Sequence, residues 1–538
     1  MRKTLYPIDV FEIVENQYNR LYENLRDFKE KRIEAEKKTL KEVPNIYRIY
    51  DVLQQIMKIS NQEREILLNL EIEIEKKTLI KRRKMVEIFQ YAIEAGKEVY
   101  LTSDMYLPRE ILEPILNELG ICGYKKMYVS CDYHKNKGMG LYDILKAGTM
   151  KKKLLHIGDN VYSDEECGMA AGLDVYLIKK ASDMLDICSY ASIHGYCSNI
   201  NERCMVGLFI AEALNDPFIL MKNEGKRIVS KAYELGYLFI APLITKHIIW
   251  LVENLKDSNY DEVLFSARDG YLILKLYRKY LEIKNIANIP KGIYFKTSRH
   301  TAVCAAMRDE MDIEWISASP SFSDPKTMVH KNFDLPLDEV LPYEAELYSS
   351  MYEYIMAQKE KIFSNSKILA QKYLAYMKKI GLKNGGRYAL WDLVASGTCH
   401  YCLNKFVPFI LEGLYMCNYD GGKTSWRSLK AKSMFLKNGA VDDNSYNAYR
   451  SNEYFYKNYS FLETIITSFE PTLIGFEENG EAVYGLDDRS DAELEFVEEV
   501  QNAIKEYFEE FIENYYIDGQ DINERFVEKI YSFKDSEY

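Results

Sequence analysis

Two carboxylates five positions apart close the stretch Leu154-Leu155-His156-Ile157-Gly158-Asp159-Asn160-Val161-Tyr162-Ser163-Asp164. A short apolar run ends in Gly158-Asp159. The segment after Asp164, from Glu165 to Ala171, is predicted to be a helix that stops at Gly172. Strand, acidic loop and helix in that order put both acids at the carboxyl end of a parallel strand, where open α/β sheets keep their sites. Hard oxygen ligands so placed suit Mg²⁺, which is usually held by one or two carboxylates, water and substrate phosphate. The same stretch also reads as an ordinary strand-to-helix turn with acidic loop residues.

Phosphate chemistry at such a metal needs a hydroxyl and a cation as well. Ser103 closes a predicted strand running from Glu98 to Asp104, and Lys137 lies in Lys135-Asn136-Lys137-Gly138-Met139-Gly140, just ahead of a helix. Each alone has a plain reading, Ser103 as a turn cap and Lys137 as one surface lysine of many. Hydroxyl, lysine and paired acids in that order are the more specific signal.

The elements that must position them follow from periodicity. From Val10 to Ala95 apolar residues recur at helical spacing amid Glu and Lys, with a break at Pro44-Asn45. Past Ala95 the period changes. Strands are predicted to Asp104, at Lys126–Ser130, Leu154–Ile157 and Val175–Ile178, with helices from Pro108 to Leu119 and from Leu141 to Ala147. Alternating strand and helix argue for one parallel sheet with crossover helices.

With these motifs on the page, Val99 to Ile178 resembles the haloacid-dehalogenase-like (HAD) hydrolases. Ser103 matches the second motif of that family (Thr102 as fallback), Lys137 the third (Lys135 as fallback), and Asp159 with Asp164 the acidic fourth. The resemblance implies a Rossmann-like core, Mg²⁺ held by Asp159 and Asp164, and phosphate-monoester hydrolysis through an aspartyl-phosphate. It implies that the early helices form a cap, and that the substrate is a small phosphorylated molecule such as a sugar or nucleotide phosphate. It departs from the family in one respect. The family's first motif, Asp-x-Asp-x-Thr on a central strand, carries the nucleophile, whereas Met1-Arg2-Lys3-Thr4-Leu5-Tyr6-Pro7 reads as sequence that follows it, with no acid before Asp9. The expectation is a chain truncated at its start and inactive as written. The alternative is a non-catalytic binding protein for a phosphorylated ligand. Losing that strand would leave its two neighbours with unpaired backbone groups.

A second α/β region opens at Asp261. Strands are predicted from Glu262 to Ala267, from Ile293 to Thr297 and from Tyr388 to Asp392, with helical insertions from Arg308 to Leu382 and a looser stretch from Ser317 to Pro342. Arg268 and Arg299 follow two of these strands. Asp392 leads into Ser396-Gly397-Thr398 before a helix, a pattern that could form an anion nest. Arg268, Arg299, Asp392, Ser396, Gly397 and Thr398 are thus candidates for binding phosphate or a nucleotide, against turn chemistry and structural salt bridges. Ala267-Arg268-Asp269-Gly270 mimics a HAD first motif, but Ala267 stands where the nucleophile should be. The whole arrangement resembles large bacterial HAD-like proteins found with surface-polysaccharide genes.

The expected architecture is therefore α/β. A helical cap and lead-in covers residues 1–95, a Rossmann-like HAD core 96–180, a helical connector 181–255, and a second α/β domain with helical insertions 256–538. The 70 basic and 82 acidic residues leave a net charge of −12 without a long basic block, which argues against nucleic acid or anionic membrane as main partner. The most apolar stretch, Leu235 to Val252, contains Pro242, Lys246 and His247, so a buried core helix is expected rather than a membrane span. Cys399-His400-Tyr401-Cys402 has no second pair at zinc spacing, and the ten scattered cysteines suit a reduced, cytoplasmic chain.

Overall fold

The computed structural model describes residues 1–22, 25–40, 43–149, 153–317, 324–419, 429–437, 448–451 and 454–535; residues 318–323 of the looser stretch thus lie outside the described residues. The fold is mixed α/β and divides into two compact units, Met1–Phe239 with Glu510–Tyr538, and Ile240–Glu509.

In the first unit, five helices precede the strands among the described residues: Asp9–Leu21, Phe28–Thr39, Ile46–Met57, Asn61–Thr78 and Arg83–Glu94. Their starts are written locally. The Asn45 side chain accepts the Tyr47 N–H, and Ser60 and Glu63 form a reciprocal capping box. Ile46, Ile49, Tyr50 and Leu53 form the buried stripe that the helical period requires. Within this packing lies a fully buried ion pair. Arg32 meets Glu71 through two bonds of 2.9 and 2.8 Å, and Tyr50 Oη donates to the same carboxylate at 2.8 Å.

Four short strands follow: β1 (Tyr100–Ser103), β2 (Lys126–Val129), β3 (Leu155–Gly158) and β4 (Asp174–Leu177). β1 pairs in parallel with β2, and β3 with β4, but no strand among the described residues joins the two pairs. The single parallel sheet expected from the alternation is therefore two separate ribbons. A strand neighbour is lacking on one edge of each, and with it the backbone pairing a continuous sheet supplies. The apolar side chains nearby are correspondingly uncovered. Leu155 is 62% and Ile157 40% exposed, and the amphipathic helix Arg83–Glu94 buries none of its residues.

The second unit holds a six-stranded, all-parallel sheet. Its strands are β5 (Glu262–Ser266), β6 (Lys291–Phe295), β7 (Arg387–Ala395), β8 (Ile410–Asn418), β9 (Ala431–Leu436) and β10 (Tyr449–Arg450), in the order β10-β9-β8-β7-β5-β6. Phe265 on β5 is in register with Trp391 on β7, and their rings stack 6.1 Å apart. Trp391 Nε1 donates to His247 Nε2 at 2.7 Å, both residues being fully buried. A small antiparallel hairpin, β11 (Leu473–Phe476) and β12 (Ala482–Tyr484), completes the strands. The apolar stretch picked out by composition, Leu235 to Val252, is buried throughout and falls within the helical segment Ala232–Leu255.

Candidate functional site

In the first unit the motif residues converge on Asp164. Its side chain packs against Gly158 at the end of β3, where any Cβ would collide with the carboxyl group. One oxygen, Oδ1, is met by Lys137 Nζ and by His156 Nε2, the latter at 3.0 Å. The other, Oδ2, accepts the backbone N–H groups of Asp159 (3.0 Å) and Asn160 (2.9 Å). Burial works to raise the pKa of Asp164, but the hydrogen bonds from His156 and Lys137 prevail and hold it well below the usual carboxylate range. The loop closes with the Asn160 side chain accepting the Ser163 N–H, and a wide helical turn over Val161–Glu166 leads to the left-handed Gly172.

Lys137 joins the two ribbons at their carboxyl ends. Its backbone N–H donates to Asp104 Oδ1 at 2.9 Å, next to Ser103 at the end of β1, while its ammonium reaches Asp164 beyond β3. Of the two lysines that fit the third motif, Lys137 is the inner one; Lys135 is exposed and lies near Gly140. Asp159 is exposed, with the Arg82 guanidinium in its neighbourhood. Sequence reasoning missed His156 and Arg82. The signal for His156 was a polar residue in mid-strand, two positions before the glycine that admits Asp164.

These positions bear on Mg²⁺. Asp164 has all its acceptor sites engaged by donors, which makes it a brace for the loop rather than a free ligand. Asp159 remains uncommitted, and among the described residues no group of three or more His, Cys, Asp or Glu is placed to hold a metal. Asp9, the first acid in the chain, is not a free nucleophile either. Its carboxylate accepts from Arg203 Nε at 2.7 Å and from the Tyr6 N–H at 2.9 Å.

In the second unit the sequence candidates lie on three neighbouring strands. Arg268 follows β5 in a left-handed conformation (φ 69°), its guanidinium bonded to Thr472 Oγ1 at 2.6 Å and Thr467 Oγ1 at 3.4 Å. Arg299 begins the helix after β6 and is exposed. Asp392 lies inside β7, which runs on to Ala395, and its Oδ1 accepts the Leu393 N–H at 2.9 Å. Burial, then the negative charge of Glu463, pushes Asp392 up to about 6 against the opposing pull of Arg299.

The stretch Ser396-Gly397-Thr398, expected to form a nest, links β7 to the next helix. Gly397 is left-handed (φ 74°), the Ser396 and Thr398 hydroxyls bond each other at 3.1 Å, and the helix that follows has only seven residues. Its His400 is structural, held by Tyr415 Oη and the Leu411 carbonyl, both at 2.7 Å.

A cavity of about 200 Å³ opens beside these strand ends, lined among others by Arg268, Asp269, Lys296, Glu463, Glu470 and Tyr484. Asp269 and Glu463 were not singled out from sequence. Burial, then repulsion from Asp392 and Glu463, raises Asp269 well above the ordinary range.

Compared with models of known protein families and with curated proteins, the chain finds a match in neither.

Proposed function

We propose that the first unit is a HAD-like core that handles small phosphate monoesters. One observation carries this reading: Lys137 bonds both Asp104, the residue after Ser103 at the end of β1, and Asp164 of the acidic loop after β3, so three separate segments meet at the carboxyl ends of parallel strands. In that role Lys137 supplies positive charge beside the phosphate, Ser103 offers a hydroxyl to a phosphoryl oxygen, and Asp164 orients the lysine. Mg²⁺, when bound in such a site, neutralises phosphate charge. The residues present offer it only Asp159 as an uncommitted carboxylate, so they do not fit a complete metal site, and no step is derived through it. A covalent phosphoryl intermediate has no acceptor carboxylate among the residues so placed.

A second reading, a non-catalytic binding protein for a phosphorylated ligand, is favoured by the saturation of Asp164 and by the engagement of Asp9 with Arg203.

The two are separated by assaying a broad phosphate-ester panel with Mg²⁺. The assay is run on this chain and on a version extended at its N-terminus by an apolar strand ending Asp-x-Asp. Turnover restored by the extension supports the hydrolase. Binding without turnover in both supports the binding protein. Neither binding nor turnover in either would end both readings.

A further inference from the structure

The sheet of the second unit changes direction between β5 and β7. From β5 the chain moves outward to β6, then crosses back to β7 and continues outward to β8 and β9 on the other side. In open parallel sheets the crevice outside the carboxyl ends at such a reversal is where ligands bind. Phe265 and Trp391 are in register, so the next residues along, Ser266 and Asp392, sit side by side on the opposite face of the sheet. Ser266 is 6% exposed, and its hydroxyl meets no hydrogen-bond partner among the described residues. A buried hydroxyl left unpaired at the end of a strand calls for a partner from outside the chain.

The charges around it are mixed but do not cancel. Asp392 faces Glu463, Asp269 and Arg299, and Asp269 faces Arg268. Neither arginine makes an ion pair among the described residues; Arg268 is steadied by two threonine hydroxyls and Arg299 is exposed. A bare dianion would be repelled by the carboxylates, and a simple cation by the arginines. A ligand carrying hydroxyl donors and a phosphate satisfies both sets, because carboxylates accept from hydroxyls and guanidinium forks grip phosphate oxygens. The cavity beside these strand ends is lined by Arg268, Asp269, Lys296 and Glu463; at about 200 Å³ it is below the roughly 300 Å³ where drug-sized pockets begin, which suits a single sugar ring rather than a dinucleotide.

We propose that the second unit binds a phosphorylated sugar at the carboxyl end of its parallel sheet, Asp269 and Glu463 meeting sugar hydroxyls and Arg268 and Lys296 meeting the phosphate, with Ser266 and Asp392 on the adjoining strands. This site is built wholly within the second unit and is independent of the reading given for the first.

The test is calorimetric titration of the full chain with ribose 5-phosphate, glucose 6-phosphate, ribose and inorganic phosphate. A sugar phosphate should bind at least about tenfold more tightly than ribose or phosphate alone. Lys296→Ala should weaken sugar phosphate and inorganic phosphate together by about tenfold. Glu463→Gln should weaken the sugar phosphate alone by a similar factor, and Asp269→Asn serves in its place if that variant fails to fold. Absence of binding by all four probes at millimolar concentration would overturn the proposal. So would sugar-phosphate affinity that survives both substitutions. Binding abolished by Lys137→Ala but untouched by the second-unit variants would place the ligand in the first unit and equally overturn it.

Discussion

The chain carries parallel strands twice, and the two sets are sheltered very differently. In the second unit Leu264, Leu390 and Trp391 are fully buried, and β8 is covered along nearly its whole length. In the first, β2 is buried from Met127 to Val129, but β3 and β4 alternate between exposed and half-buried, and the helix Arg83–Glu94 has no buried residue. Parallel strands are ordinarily covered on both faces. The second sheet meets that rule, and its strand ends are positioned by core packing. The first does not, and its chemical residues are positioned by polar bonds within loops, above all those to Asp164.

Mutations can break this contrast. Trp391→Ala empties a buried, stacked position and also strips His247 of its hydrogen bond, so it should cost roughly 3–5 kcal/mol in denaturant-induced unfolding monitored in the second unit. A cost under about 1 kcal/mol would mean that the second sheet is no better packed than the first.

Acid tests the same core. Burial depresses His247 to about 3, so it stays neutral in the folded chain while the unfolded chain protonates below its ordinary value of 6.5. Stability from this group is therefore intact above about 6.5 and falls by about 1.4 kcal/mol per pH unit until it levels off near 3. His247→Gln should flatten that slope in a pH series of unfolding midpoints.

In the first unit the loop bonds set the scale. Asp164→Asn should cost about 1.5–3 kcal/mol at neutral pH, since it removes the charged acceptor of four hydrogen bonds. The folded-state pKa of Asp164 is depressed, so its contribution is fully present above the ordinary carboxylate range. It is lost as pH falls through the folded value, and the gap between wild type and variant should shrink below about pH 4. The smallest effect belongs to the open ribbon. Ile157→Ala, at a position 40% exposed, should shift stability by no more than about 0.5 kcal/mol. A loss comparable to that of Trp391→Ala would show β3 to be covered.

Much of this frame is legible in the residues themselves. β1 to β4 fall within two residues of the positions that periodicity assigns, and Gly172 takes the left-handed conformation expected of a helix stop. Other features were hidden for physical reasons. β8 is mostly apolar, interrupted by Glu412 and Gly413, and shows no clean alternation, so periodicity cannot assign it to strand or helix. β7 runs past Asp392 because Leu393 and Ala395 are buried, which places the acid inside the strand. The commitment of Asp164 to four donors depends on His156 and on two loop amides whose direction no spacing reveals. Asp269 meets Glu463 only because the helix Tyr454–Ile466 comes back to the ends of β5 and β7 from far along the chain.

The central claim, that the loops around Lys137 receive a phosphate ester, is tested most directly by backbone hydrogen exchange. The full chain is compared with and without a saturating phosphate monoester such as p-nitrophenyl phosphate. The account predicts slowed exchange in residues 103–106, 136–140 and 158–164, and loss of that protection in Lys137→Ala. Unchanged exchange in all three loops would contradict it.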